Sequence, residues 1–409
     1  MRIASGGLTA RDQAAQRTLT TLEFFRDAPV GEAAEGMTGH RGFYYHFLDM
    51  REGRRFGAWV ELSSVDTGLL MMGVLFAQSY FDGDAPSEQR IREVADTLYR
   101  RVEWNWLQQR PPLISMGWHP EKGFIDGDWR GYNEAMLVYV LALGSPTHPV
   151  EPEAWTAWTD TYRRSWGKYR GYEHLAFGPL FGHQYSHVWI DFRGISDAYM
   201  RRRGFDYFEN SRRATYAQRD YAIANPMRWK GYGEHIWGLT ACDGPQHTRQ
   251  TYLGEMREFR AYSARGAGLT DVFDDGTIAP TAALASLPFA PEIVIPAVQA
   301  MHREYGAELY GRYGFLDAFN PSFDYPIAPA TGAVVAGRGW FAGDYLGIDQ
   351  GPILAMIANH RDGFVWNVMK RNPYIRSGLQ RAGFEGGWLE SANAPAAAVA
   401  SGSTAAVRR

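Results

Sequence analysis

Glu134 closes the stretch Trp129-Arg130-Gly131-Tyr132-Asn133-Glu134, and the nine residues after it, Ala135 to Leu143, are all apolar. A polar, aromatic turn that opens onto an apolar helix sets a carboxylate at the helix N-terminus, where the backbone dipole favours its charged form. Four further acids have similar settings: Asp66 after Ser63-Ser64-Val65, Asp191 closing Gly182-His183-Gln184-Tyr185-Ser186-His187-Val188-Trp189-Ile190, Glu234 in Gly231-Tyr232-Gly233-Glu234-His235-Ile236-Trp237, and Asp349 in Ile348-Asp349-Gln350-Gly351-Pro352. Each alone is an ordinary first-turn acid. As a set among aromatics they carry what glycosidic cleavage needs. One carboxylic acid protonates the leaving oxygen, and a second carboxylate activates water or attacks the sugar carbon.

The aromatic content supports the same chemistry. It reaches 14%, with 14 Trp and 23 Tyr, many beside Gly, Asp, Asn or His. A sugar ring has apolar C–H faces and a hydroxyl rim, and Trp and Tyr pair a flat apolar face with a polar edge. Trp118, Trp129, Trp189, Trp237 and Trp340 are the expected platforms. Tyr132, Asn133, His183, Gln184, Tyr185, His187, Tyr232, Asp349 and Gln350 are the expected polar and aromatic lining. Glu134 is the expected general acid, raised by burial against Trp129 or Tyr132. Asp66, Glu234 or Asp191 would supply the second carboxylate.

Other chemistries have weaker support. No Gly-rich phosphate loop is present. His183 and His187 are spaced like half a metal site, but no His-Glu-x-x-His pattern accompanies them. No metal or cofactor is expected. Cys242, the sole cysteine, reads as a small buried hydrophobe, and Arg212-Arg213 as a solvated face.

Helices must position these groups. Apolar periodicity predicts a helix from Arg17 to Arg26, and one from Leu69 to Phe81 capped by Ser64. It also predicts outer helices over 87–107 and 153–169, a helix leading from the 182–191 loop through Met200, another over 205–225, one from Pro291 to Tyr305, and a last apolar one from Ile353 to Asn359. The charged turn Arg51-Glu52-Gly53-Arg54-Arg55 between two apolar ends suggests a β-hairpin over 47–60. Apolar helices alternate with amphipathic ones, and strand signals are few. An all-α double ring therefore fits better than an α/β barrel.

The chain has 409 residues, a net charge of -3 and 45% hydrophobic residues. That allows a large core and gives no sign of a nucleic-acid or anionic-membrane partner. No apolar run reaches membrane-spanning length. Residues 1–21 contain no signal-like apolar segment, so the expected compartment is cytoplasmic, or periplasmic if a leader has been lost. The Ala/Ser/Gly-rich tail is expected to be disordered.

Five phrases in order resemble the glycoamylase-like family, which includes bacterial β-1,2-glucanases and is similar to the glucan-processing domain of cyclic β-1,2-glucan synthases. They are Gly131-Tyr132-Asn133-Glu134, Ser145-Pro146-Thr147-His148-Pro149, His183-Gln184-Tyr185-Ser186-His187, Trp237-Gly238-Leu239-Thr240-Ala241 and Ile348-Asp349-Gln350-Gly351-Pro352. The resemblance implies an (α/α)6 toroid with long aromatic-rich loops at one end. It would be a single catalytic domain over 24–384, with an arm and first helix over 1–23 and a tail over 385–409. It also implies hydrolysis of a β-linked glucan, foremost β-1,2-glucan, with inversion. Glu134 matches the family's motif acid, and Asp66 and Glu234 fall in its other recurring phrases; acid and base roles stay undivided among them. A transglycosylase of the same fold and a non-catalytic carbohydrate-binding protein are the alternatives. Product analysis separates the first from a hydrolase; binding that survives loss of every acid would identify the second.

Overall fold

The computed structural model describes residues 10–269 and 272–390. The expectation of a disordered tail from Ser391 lies outside the described residues. Within them the protein is mainly helical, with several small antiparallel sheets.

The helices are α1 (Arg11–Asp27), α2 (Ser64–Tyr80), α3 (Pro86–Arg100), α4 (Met136–Gly144), α5 (Glu153–Asp160), α6 (Tyr185–Trp189), α7 (Ala198–Arg203), α8 (Tyr207–Ala224), α9 (Pro280–Leu284), α10 (Pro291–Leu309), α11 (Gly347–Asp362), α12 (Phe364–Met369), α13 (Pro373–Arg381) and α14 (Gly387–Glu390). Composition sorts them into layers. Every residue of α4 is buried, as expected of a helix apolar on all sides. By contrast, α3 buries Ile91, Val94, Ala95, Leu98 and Tyr99, with Glu88 buried in a pair with Arg11, and turns Arg90, Glu93 and Arg100 to solvent. The central helices form a connected series: α2 packs on α4, α4 on α6, α6 on α11 and α11 on α9.

The tightest crossing joins α4 to α13. A Cβ on Gly378 would lie 2.1 Å from the Val140 carbonyl oxygen, and one on Gly144 2.2 Å from that of Tyr374. Only glycine permits backbones this close.

Several expected elements take other forms. Helix α2 is capped by Ser63, not Ser64; the Ser64 hydroxyl donates instead to the Met116 carbonyl at 2.8 Å. The helix expected over 153–169 stops at Asp160 and gives way to a hairpin, Trp166–Tyr169 with Tyr172–Leu175. Arg170 and Gly171 both have positive φ there, the geometry of a tight hairpin turn. The expected hairpin over 47–60 has a single antiparallel bridge, Leu48 to Arg55. It is otherwise a loop folded around Asp49, whose carboxylate accepts the N–H groups of Arg51, Glu52 and Arg54 at 3.0, 2.8 and 2.8 Å. A five-stranded sheet stands beside the start of α2: β1 (Gly39–His40), β2 (Phe43–Tyr45), β3 (Leu62–Ser63), β4 (Gly117–His119) and β5 (Gly123–Phe124), in that order. Among the described residues no helix is long and apolar enough to cross a membrane.

Candidate active site

Three helix starts converge, and side-chain bonds between them set the geometry. The Trp129 indole Nε1 donates to the Ser64 hydroxyl at 2.8 Å. That bond ties the turn before α4 to the start of α2. The Ser186 hydroxyl accepts the Leu137 N–H at 3.1 Å and donates to the Glu134 carbonyl at 3.2 Å, joining α6 to α4. One of α4's four orphan N–H donors is thereby satisfied by a neighbouring helix. Gln184 donates to the Ala282 carbonyl at 2.7 Å and to the Ser286 hydroxyl at 2.8 Å, joining α6 to α9. Gln350, in the first turn of α11, donates to the Phe315 carbonyl at 2.8 Å.

Glu134 sits in the turn just before α4. Asn133 stabilises that turn, donating to the Arg130 carbonyl at 2.9 Å and accepting the Ala135 N–H at 3.1 Å. One Glu134 carboxyl oxygen is buried without a hydrogen-bond partner among the described residues. Burial pushes its pKa up to about 7, its own backbone N–H opposes this, and the nearby charge of Asp66 adds to the rise. A carboxyl that is half protonated near neutrality can donate a proton.

Asp66 lies in the first turn of α2. Its N–H donates to the Ser63 hydroxyl at 3.1 Å, and that hydroxyl donates back to the Asp66 carboxylate at 2.5 Å. Burial raises the Asp66 pKa, against the pull of His46 and Ser63. His46 Nε2 stands 3.5 Å from Asp66, and its Nδ1 stands 2.8 Å from Glu61. Burial disfavours the His46 cation, but Glu61 and Asp66 outweigh it and raise the imidazole pKa.

The Tyr185 phenol, on the first residue of α6, marks the middle of the site. Burial raises its pKa well above the usual range, and the charges of Asp349, Glu134, Tyr262 and Asp66 add to the rise in that order. Carboxyl groups from α2, the turn before α4, and α11 thus all act on one hydroxyl.

On the α11 side Asp349 is paired with Asp317. Burial is the first cause of elevation in both; sharing a proton then drives Asp349 much higher than Asp317. The Asp243 N–H donates to Asp317 at 2.8 Å. Asp349 and Asp317 each keep one buried oxygen without a hydrogen-bond partner among the described residues. Two carboxyls sharing a proton titrate as a unit, with one held neutral into the basic range. Against Tyr185 lies an apolar hollow of about 300 Å³, walled by Leu69, Val188, Trp189, Ile348 and Pro352.

Of the residues expected from sequence, Glu134, Asp66, Tyr185 and Asp349 come together here. Trp189 reaches the hollow through its partly exposed ring. Asp191 does not join them. It follows the opposite end of α6 and is clamped by Arg193 at 2.7 Å and Lys370 at 2.6 Å. Burial would raise its pKa, but the two cations hold it below the usual carboxylate range.

Glu234 does not join them either. No helix follows it; its side chain is 62% exposed and faces Arg219 at 3.8 Å. The chain runs instead into the strand Ala241–Asp243.

Most of the expected sugar contacts are core. Tyr132, His183, Gln184, His187, Trp237 and Trp340 are at most 1% exposed. Tyr132 stacks on Tyr207, the His187 ring packs against Phe192 and Phe289, and Trp340 Nε1 donates to the Thr331 carbonyl. Trp129, Asn133 and Gln350 act as the braces already described. Tyr232 donates to Asp274 at 2.7 Å, and Trp118 stacks on His40 beside Trp106.

The sequence reading missed Asp317 and the exposed Tyr262. The available signal was an acid inside the otherwise apolar run Phe315-Leu316-Asp317-Ala318-Phe319. A buried charge there needs a partner.

The glycoamylase family model, whose members are provisionally called glucoamylases, matches residues 126–373. An exo β-1,2-glucooligosaccharide sophorohydrolase (non-reducing end) of Parabacteroides distasonis is 29% identical over 415 residues, 93% of this chain and 51% of that protein. The chain therefore spans about half the length of that curated relative. A solved Bacteroides uniformis protein, provisionally called a glucoamylase, is 32% identical with TM-score 0.77, covering 93% of this chain and 84% of that one. The endo-β-1,2-glucanase of Chitinophaga pinensis, solved with sophorotriose and glucose, is 27% identical with TM-score 0.75, covering 93% and 84%.

Proposed function

The chain belongs to the glycoamylase family, and from that premise we propose that it is an inverting glycoside hydrolase acting on β-1,2-linked glucan. The relatives named for β-1,2-glucan cleavage support the linkage. The alternation of buried and amphipathic helices supports the (α/α)6 ring. The observation that carries the chemistry is Glu134: a carboxyl with a pKa of about 7 and one buried, unpartnered oxygen, beside a second acid.

Glu134 is the general acid and gives its proton to the glycosidic oxygen as the C–O bond breaks. Asp66, at the start of the neighbouring helix, helps keep that proton in place through its negative charge. The base is Asp317. Inversion needs a water between the base and the anomeric carbon, on the face away from the acid, with the carboxyls roughly 6.5–9.5 Å apart. Glu134, Asp66 and Asp349 all act on the Tyr185 hydroxyl, which supports a single site holding the acid and the base. Asp349 keeps the shared proton, so Asp317 is the member that ionises first and can accept a proton from water. The apolar hollow gives the C–H face of a sugar a wall to pack on.

The direct test is hydrolysis of linear β-1,2-glucan, with the anomer followed by proton NMR in the first minutes. The α-anomer as first product supports the reading. First release of the β-anomer, enlarged products without new reducing ends, or no turnover of any β-glucan would overturn it.

A further inference from the structure

Among the described residues, Trp59 is the most exposed tryptophan, at 63%, and it stands with other exposed rings: Phe47 is 46% and Phe56 61% exposed. These rings are joined by a series of contacts that reaches the site. His46 lies 3.5 Å from Asp66 and stacks on Phe47, with centroids 4.2 Å apart and planes at 11°. Phe47 lies 5.6 Å from Trp59, and Trp59 lies 6.2 Å from Phe56. Exposing three neighbouring aromatics to water is unfavourable unless something covers them.

The loop beneath the rings is held by polar bonds. Arg55 is buried under it; its guanidinium donates to the Val60 carbonyl at 2.8 Å, the Ala58 carbonyl at 2.7 Å and the Glu121 carboxylate at 2.7 Å. The Asp49 turn fixes the other end. The backbone that carries the rings is thus held before anything binds, which lowers the entropy cost of binding.

We propose that Phe47, Trp59 and Phe56 form an accessory glucan-binding surface that carries the chain outward from Asp66. The occupant is a β-linked glucan strand. The series of contacts reaches Asp66 through His46, its rings offer flat apolar faces, and His46 and Glu61 supply hydroxyl partners at its inner end. The inference rests on the proposed activity and adds a preference for long chains over short ones.

The test compares kcat/KM for short and long β-1,2-glucooligosaccharides in the parent, Trp59→Ala, Trp59→Phe and the Phe56→Ala/Trp59→Ala double variant. Calorimetric titration of the long oligosaccharide in a Glu134→Gln background accompanies it. The expected result is a loss of roughly threefold to tenfold on long chains for Trp59→Ala, a larger loss for the double variant, near-parent values for Trp59→Phe, and no change on the shortest cleaved substrate. Equal losses on short and long substrates, or none on either, would overturn the surface and leave the activity standing. So would self-association of the parent that Trp59→Ala abolishes without any chain-length effect. A parent that neither cleaves nor binds any glucan would remove the proposed activity and this surface together.

Discussion

The Trp129 indole and the Ser64 hydroxyl meet at 2.8 Å, and this bond ties the turn that carries Glu134 to the start of the helix that carries Asp66. Trp129 is five residues before Glu134; Ser64 is two before Asp66. Trp129→Phe keeps most of the ring volume but removes the donor. The expected cost is about 1 kcal/mol of stability, with a fall in kcat larger than the change in KM. Denaturant unfolding and steady-state kinetics on β-1,2-glucan check it.

Activity should follow a bell in pH. The basic limb belongs to Glu134, which must be protonated, and falls near pH 7. The acidic limb belongs to the Asp317–Asp349 pair and lies above the ordinary carboxylate range, because burial raises both members. Asp66→Asn removes the charge that helps hold the proton on Glu134, so the basic limb should move to lower pH. A kcat/KM profile in which Asp66→Asn leaves that limb unmoved would disprove the coupling.

Glu134→Gln should lower turnover by about 10²–10⁴-fold and raise stability at high pH. The folded pKa of about 7 stands above the ordinary glutamate value of 4.5, so the folded state holds the proton more tightly than the unfolded chain. Stability from this group is full below pH 4.5 and is lost as pH rises through 7. The variant lacks that loss. It should match the parent at pH 4 and exceed it above pH 7 by up to about 3 kcal/mol, read from thermal or denaturant unfolding at both pH values.

Asp191→Asn separates structure from catalysis. Asp191 pairs with Arg193 and Lys370 behind α6. Its loss should cost about 1–3 kcal/mol while the pH–rate profile keeps its shape. A profile that loses a limb in this variant would return Asp191 to the catalytic set.

Gly378→Ala tests the α4–α13 crossing. The added Cβ would meet the Val140 carbonyl at 2.1 Å, so the helices must separate. A destabilisation of about 2–3 kcal/mol is expected, measurable by urea unfolding.

Local order in the chain determined the starts of the central helices. Asp66, Glu134 and Asp349 were legible because each stands at the boundary between a polar phrase and an apolar run, and at these three a helix begins. Glu234 has the same kind of phrase before it, yet no helix follows. The pattern marks a polar turn without saying what comes next. Asp191 shows the other failure: α6 is so short that an acid six residues after Tyr185 lies past its far end.

Only the tertiary structure decided which aromatics face the cleft. Tyr132, Trp237 and Trp340 went into the core because a large ring gains more from full burial than from a half-open cleft. Trp59, on a charged loop, stayed outside. The Asp317–Asp349 pair was likewise beyond the sequence. A carboxyl's pKa depends on which charge lies across a few ångströms of low-dielectric space, and those two acids are neighbours only after α11 has docked against the strand Gly314–Phe315.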